Sequence, residues 1–342
     1  MTFRFRIIQL VLLTIGSGFL YSQDIHFTQF NMAPLTYNPA LTGAFYGSVR
    51  VGGLYRDQWG SAYNTPSFYL DSPILKGFRK QDWIGVGVSF FSDEAESEYL
   101  PFDANTSSLR GTITTGGLLA SGAYHFALDK ERNTVIALGV QYGTVTKKVG
   151  DKFQFEDAIL SGMPTQDILP ENDQGKNYLD ISGGLTITGK TTGQSFYRIG
   201  VSAMHINQPR ASIIGSGSGT KLPMRIVGYG TYHMDLNEQL MVTPSILFQN
   251  LGTASEVAVQ GMLGYKIPDQ NTVLKAGLGY RLGDAMEVLA GVDYKDLRVG
   301  ASYDLTLSDL KAPNNAFELA VAYIIRIYKR PKVDPVIFCP RF

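Results

Sequence analysis

From Phe317 to Tyr328 the side chains alternate without interruption, with Phe317, Leu319, Val321, Tyr323, Ile325 and Ile327 on one face and Glu318, Ala320, Ala322, Ile324, Arg326 and Tyr328 on the other. A repeat of two is the period of a β-strand, so this segment reads as a strand with one wholly apolar face. Three preceding segments repeat the pattern. Leu274, Ala276, Leu278, Tyr280 and Leu282 oppose Lys275, Gly277, Gly279 and Arg281; Met286, Val288, Ala290, Val292 and Tyr294 oppose Glu287, Leu289, Gly291 and Asp293; Leu297, Val299, Ala301, Tyr303 and Leu305 oppose Arg298, Gly300, Ser302 and Asp304. A soluble sandwich also alternates, but its polar face meets bulk water and has little reason to be rich in glycine. Small and charged residues facing a crowded lumen, behind an apolar face ending in Tyr, are the pattern of an outer-membrane barrel.

Counting sharpens that reading. Strands are expected at 48–58, 66–72, 83–91, 111–126, 134–147, 178–189, 194–205, 222–234, 238–250, 255–266, 272–282, 286–294, 297–305 and 316–328, an even total of fourteen. The connections 92–110, 148–177, 206–221 and 306–315 are long and follow odd strands, whereas 129–133, 190–193, 235–237, 268–271 and 295–296 are short and follow even ones. Short turns face the periplasm and long loops face outside in such barrels, so both barrel ends start from the periplasm. The connection 72–82 is longer than this rule expects.

Two hairpins check the phase. A two-residue turn at Lys295-Asp296 pairs Tyr294 with Leu297 on the lipid face and Asp293 with Arg298 in the lumen. Leu282 and Met286 both face lipid, so the intervening loop, Gly283-Asp284-Ala285, has odd length, with Gly or Asp left-handed. The inward charges Arg50, Arg56, Lys275, Arg281, Arg298 and Arg326 can pair across the bore with Glu287, Asp293, Asp304 and Glu318, which favours a filled or plugged interior over a porin with a mixed constriction. Glu287 and Asp304 oppose each other in this register, so a bulge or a basic neighbour is needed there.

The N-terminus points to export. Arg4 and Arg6 precede an uncharged stretch of 14 residues from Ile7 to Leu20, followed by Tyr21-Ser22-Gln23, the order of a secretory signal peptide. That stretch is short of the ~20 residues of a spanning helix, and no later run approaches the length, so entry into a membrane is by strands. The chain carries 30 basic and 30 acidic side chains, and removing the leader leaves 28 against 30, so it has no excess charge for nucleic acid. One cysteine allows no intrachain disulfide, and four histidines without a CxxC pair give a structural zinc site almost no material.

The ends of the chain carry further motifs: Gln23-Asp24-Ile25-His26-Phe27-Thr28-Gln29-Phe30, then Asn38-Pro39-Ala40-Leu41-Thr42-Gly43, then Tyr55-Arg56-Asp57-Gln58-Trp59. Together with Tyr178-Leu179-Asp180-Ile181-Ser182-Gly183-Gly184, His205-Ile206-Asn207-Gln208-Pro209 and the final Phe338-Cys339-Pro340-Arg341-Phe342, this order resembles the PorP/SprF family of Bacteroidota, outer-membrane barrels associated with type IX secretion and gliding motility. The resemblance covers essentially the whole mature chain and marks Asn38, Pro39, Ala40, Gly43, Arg56, Gln58 and Trp59 as family-motif residues. It implies a non-enzymatic, partner-binding barrel with no cofactor. Some members resemble links between the secretion or motility machinery and the outer membrane; others resemble anchors for secreted surface proteins. Read locally, Asn38 to Gly43 is a turn that can form part of a plug, and Arg56 faces the lumen and is paired there.

The expected organisation is a signal peptide at 1–22, a periplasmic or plug segment at 23–46, a barrel at 47–329 and a periplasmic tail at 330–342. Pro331, Pro335 and Pro340 keep that tail out of a ladder. Its Val336, Ile337, Phe338 and Phe342 make it a cork or a docking peptide, and Cys339 reads as a small hydrophobe or plain thiol. On the outer loops, Phe153, Phe155, Ile159, Leu160, Ile213 and Ile214 are apolar groups that need a cover, and so are candidate contacts for the C-terminal domain of a secreted surface protein. His125, His205 and His233 lack neighbours that would activate a nucleophile, so no catalytic residue is assigned. The acidic groups Asp93, Glu94, Glu96 and Glu98, and Asp167, Glu171 and Asp173, miss the calcium-loop spacing and read as solvated loop faces, leaving no metal site assigned. The resulting expectation is an anchor or assembly barrel for a type IX secreted protein in the outer membrane. Its alternatives are a periplasm-facing tether and a passive uptake channel.

Overall fold

The computed structural model describes residues 24–76, 81–99, 109–150, 175–191, 195–212, 221–308 and 315–327. They form a closed antiparallel barrel of fourteen strands: β1 (Val49–Gln58), β2 (Tyr63–Ile74), β3 (Trp83–Tyr99), β4 (Leu109–Ala127), β5 (Thr134–Val149), β6 (Lys176–Lys190), β7 (Phe196–Met204), β8 (Arg225–Asp235), β9 (Leu240–Leu251), β10 (Ala254–Ile267), β11 (Thr272–Arg281), β12 (Ala285–Tyr294), β13 (Leu297–Thr306) and β14 (Ala316–Ile325). Each strand pairs with its sequence neighbours and β1 closes on β14, from Val49 opposite Ile325 to Gln58 opposite Ala316. Closure leaves no free sheet edge, which is what lets strands cross hydrocarbon. No helix of the described residues is long and apolar enough to cross a membrane.

All fourteen expected strands are present. The main departure is that β3 runs to Tyr99 and β4 starts at Leu109, so Asp93, Glu94, Glu96 and Glu98 lie on a strand and not on a loop. Pairing continues because Asp93 to Glu96 meet Thr115, Thr114, Ile113 and Thr112, β-formers that keep the ladder going past the apolar band. At the Lys295-Asp296 hairpin, Tyr294 pairs with Leu297 and Asp293 with Arg298, as the phase requires. The β11–β12 loop keeps its odd length but sits one residue earlier, at Leu282-Gly283-Asp284, because Arg281 pairs with Ala285. Gly283 takes the left-handed conformation there, at φ 73°.

The apolar faces point outward: Phe317, Leu319, Val321, Tyr323 and Ile325 are all exposed, as are Leu274, Leu278, Val288 and Tyr303. The buried core therefore lies inside the barrel. Ile25, Phe27, Phe30, Ala33, Leu35, Tyr37 and Leu41 from the N-terminal segment pack against inward Leu54, Tyr69, Val227, Tyr229, Leu247, Ala258 and Ala320. That segment has three short helical turns, Phe30–Met32, Pro34–Tyr37 and Pro39–Leu41, and the Tyr37 hydroxyl closes it by accepting from Phe27 N (2.6 Å) and donating to Phe27 O (2.9 Å). It descends from Asp24, near the long-loop end, to the start of β1 at the short-turn end, which the turn rule places in the periplasm.

Candidate functional site

The bore is held by three polar clusters, beginning at the outer end with Thr28. Its amide donates to Glu318 Oε2 (2.9 Å), its hydroxyl bonds Asp304 (2.8 Å), and the same Oγ1 accepts from Arg56 Nη1 (2.8 Å) and Arg281 Nη2 (3.1 Å). Arg56 pairs with Asp304 at 2.9 Å and Glu318 at 3.3 Å, and Arg281 with Asp304 at 2.9 Å and Glu287 at 3.1 Å. Glu287 and Asp304 do oppose each other, and Arg281 is the basic neighbour that the register demands. Arg281 also meets Asp284 at 3.0 Å and Glu256 at 3.6 Å, so carboxylates outnumber the two guanidinium groups, and Glu318 is further compensated by a second amide bond, from Gln29 N (2.8 Å). Buried charges are tolerable only when so completely paired.

The second cluster joins the start of the segment to the outer rim. His205 donates Nδ1–H to Asp180 Oδ1 (2.8 Å) and Nε2–H to Asp24 Oδ2 (2.9 Å), and Arg225 approaches the same Asp24 oxygen at 3.0 Å. Burial disfavours the charged ring, but the two carboxylates outweigh it and raise the His205 pKa to about 9. Burial works against Asp24 ionisation too, yet Arg225 and His205 hold that carboxyl well below its usual range. After His205, Asn207 continues along β6 with its side chain, donating to Leu179 O (2.7 Å) and accepting from Ile181 N (3.2 Å), where the shorter β7 has ended.

The third cluster is the Asn38–Gly43 motif, a pair of turns buried in the lower bore. Asn38 is fully buried; Oδ1 caps Ala40 N (2.8 Å) while Nδ2 donates to Leu185 O and Val201 O, both 3.1 Å. Inward Gly184 provides the room for that side chain. Gly43, left-handed at φ 71°, donates its amide to Asp71 Oδ2 (2.6 Å), and Asp71 is paired with Arg50 (2.8 Å). His125 Nε2–H donates to Thr42 O (2.7 Å), Trp83 Nε1–H donates to Gly43 O (3.0 Å), and the two rings stack with centroids 4.5 Å apart.

Residues 19–323 match the family described as type IX secretion system membrane protein PorP/SprF. The chain belongs to that family. Among solved structures, the PorP/SprF barrel is similar to the toluene transporter TbuX of Ralstonia pickettii, with 13% identity, TM-score 0.52, and 87% of this chain and 94% of that one covered. It is also similar to the toluene transporter TodX of Pseudomonas putida, with 12% identity, TM-score 0.53, and coverage of 88% and 94%. At such identities the likeness is one of fold. No curated protein matches the chain. Outer-membrane location follows from the family and the barrel together.

Of the motif residues in this PorP/SprF barrel, Arg56 and Gln58 lie on the inner face of β1, and Gln58 Oε1 accepts from Arg56 Nε (3.3 Å). Trp59 sits in the outer turn against Tyr63, while Asn38, Pro39, Ala40 and Gly43 anchor the segment below. The structure thus makes the motif, Trp59 apart, a set of internal fastenings. The loop candidates Phe153, Phe155, Ile159, Leu160, Ile213 and Ile214, the tail candidates Val336, Ile337, Phe338, Cys339 and Phe342, and the expected signal peptide lie outside the described residues. Thr28, Asp71 and the Asp24–His205–Asp180 link carry no role in the sequence reading. Their signal was the presence of polar residues inside otherwise apolar or family-like stretches.

Two cavities open at the periplasmic end, of about 790 Å³ and about 280 Å³, sharing Phe45, Tyr46, Phe196 and Arg198 in their walls. At the outer end a cavity of about 200 Å³ is bounded by Asp24, Arg225, Glu256, Arg281 and Asp284. Among the described residues no group of three His, Cys, Asp or Glu side chains could hold a metal.

Proposed function

We propose that this barrel is a non-enzymatic anchor that holds or assembles a type IX secreted surface protein, such as a gliding adhesin, by binding its C-terminal domain from outside. The supporting observation is that the N-terminal segment and its ion pairs occupy the outer half of the bore, so the inner wall there is already engaged and the barrel ends are the surfaces left for a partner. The connections 150–177 and 208–221, with Phe153, Phe155, Ile159, Leu160, Ile213 and Ile214, are the contacts we assign to that domain. Replacing both with short turns releases the surface protein while the barrel still assembles; unchanged retention would move the binding site elsewhere.

The second reading is a periplasm-facing tether for secretion or motility components, favoured by the open cavities at the short-turn end. In that reading Val336, Ile337, Phe338, Cys339 and Phe342 form a docking peptide, and removing 336–342 costs the periplasmic partner without changing the barrel. A passive channel is favoured only by neighbours described as toluene transporters, and steady single-channel conductance by the purified protein would support it.

A further inference from the structure

Deeper in the bore the buried arginines of the described residues have acidic partners: Arg56 meets Asp304, Arg225 meets Asp24 and Arg281 meets Glu287. In the periplasmic vestibule the smaller cavity keeps this rule, with Arg50, Arg298 and Arg326 meeting Asp71, Asp293 and Asp296, and the larger one breaks it. Lys76, Arg132, Lys190 and Arg198 line its larger cavity, and among the described residues no Asp or Glu lines either cavity. Three of them have neutral hydrogen-bond partners: Lys76 donates to Gly47 O (2.7 Å), Arg132 to Gln81 O (2.8 Å), and Arg198 Nε to Thr188 Oγ1 (3.3 Å), while Lys190 lies within electrostatic reach of Asp129. Arg198 stands on the wall between the two cavities with its remaining guanidinium N–H groups unbonded among the described residues.

Aromatic surface accompanies the charge. Trp83 and Phe196 form part of the wall, and Tyr46, at 84% exposure, stands at the mouth with the Arg326 guanidinium 5.5 Å from its ring centroid. A half-buried guanidinium without a counter-charge is costly unless a ligand supplies one, and its planar fork suits a carboxylate. We infer that this vestibule is a receptor site for a carboxylate-bearing, partly aromatic segment of a periplasmic protein. The cavity of about 790 Å³ falls in the range of ~300–1,000 Å³ typical of ligand sites and accommodates a few side chains. Its wall comes from the inner face and from residues 44–46, with Lys76, Arg132, Asn133 and Lys190 at the rim, so the cavity opens to the aqueous side, which favours a segment of a periplasmic protein as occupant. The inference rests on the tether reading for the protein nature of the occupant and is independent of anchoring outside.

The test uses the purified full chain and a fluorescent hexapeptide alternating Glu and Phe, with a Lys–Phe peptide as control. Saturable binding of the acidic peptide is expected, weakened roughly tenfold by Arg198→Gln with Arg132→Gln and weakened again between ~0.05 and ~0.5 M salt. Unchanged heat-modifiability on a gel shows that the variant barrel is folded. Equal affinity for the two peptides, or equal binding by wild type and folded double variant, would overturn the site. Anionic phospholipid that co-purifies with wild type and is lost in the double variant would overturn the peptide as occupant. Peptide binding without any co-purifying periplasmic protein supports the site while removing the tether.

Discussion

The two ends of the bore solve the same electrostatic problem differently. At the outer end, Arg56 and Arg281 are enclosed by Asp304, Glu287 and Glu318, and Thr28 of the N-terminal segment sits among all of them. At the periplasmic end, Lys76, Arg132, Lys190 and Arg198 face a cavity whose described lining has no carboxylate, and Arg198 there bonds only to neutral Thr188. Completed pairing closes the outer half and ties the segment to the wall. Uncompensated charge leaves the other half able to gain from an added anion. The same residue type is thus a fastening at one end and a binding element at the other, according to whether the neighbouring strand supplies a carboxylate.

The largest expected difference comes from deleting one arginine at each end. Arg56→Met leaves Asp304 and Glu318 buried with one partner fewer, and costs ~3–5 kcal/mol of stability. Arg198→Met removes a half-buried charge that no carboxylate meets, so relief of desolvation offsets the one hydrogen bond lost to Thr188, worth ~1 kcal/mol, and the variant is neutral or more stable. Urea unfolding midpoints of the reconstituted barrel measure both; equal losses would mean that the ends are not distinct.

A second pair of substitutions separates wall from bore. Ala301→Arg places charge in the lipid-facing band and costs ~2–4 kcal/mol near mid-membrane. From the alternation alone, Arg at the neighbouring inward position, Ser302, is expected to be mild. The packed interior changes that expectation: Ser302 is 3% exposed, opposite Glu318, so Ser302→Arg is overpacked and costs ~1–3 kcal/mol. Because the added bulk meets the N-terminal segment and not the lipid, protease cutting within 24–47 should increase for Ser302→Arg and remain low for Ala301→Arg. The reverse pattern would refute the assigned faces.

The barrel was legible because a strand's faces are set by local parity, and Tyr294, Asp293, Leu297 and Arg298 carry that parity across a turn. Strand ends were less so. The polar run Asp93 to Glu98 looks like a loop until Thr112, Thr114 and Thr115 across the hairpin are seen to pair with it. Lumen charges of both signs pointed to a filled interior, but the fastenings of the N-terminal segment were not legible, since Thr28 and Glu318 are joined across 290 residues and no local pattern announces such a contact. Asp24, Asp180 and His205 each stood in a family-like stretch, and only the closed barrel brings the three stretches together.

The smallest effect is a pH dependence confined to the outer end. His205 has its folded pKa raised to about 9, above the ordinary ~6.5, so its stabilising link to Asp24 and Asp180 is fully present below ~6.5 and is lost as pH rises through about 9. Asp24, whose carboxyl is depressed, contributes in the opposite sense: its share is present above ~3.9 and lost in acid. Near neutrality both groups are charged and the link is complete. Between pH 7 and pH ~10 the wild-type unfolding midpoint should therefore fall towards that of His205→Gln, while no such convergence occurs for Arg198→Gln, which lies at the other end. Lysine and tyrosine titrations affect all three proteins alike, so the gap between wild type and His205→Gln is the quantity to follow. A gap that stays constant over this range, or an imidazole resonance that titrates near 6.5, would show that His205 is not held between two carboxylates and that the outer fastening depends on the Thr28 cluster alone.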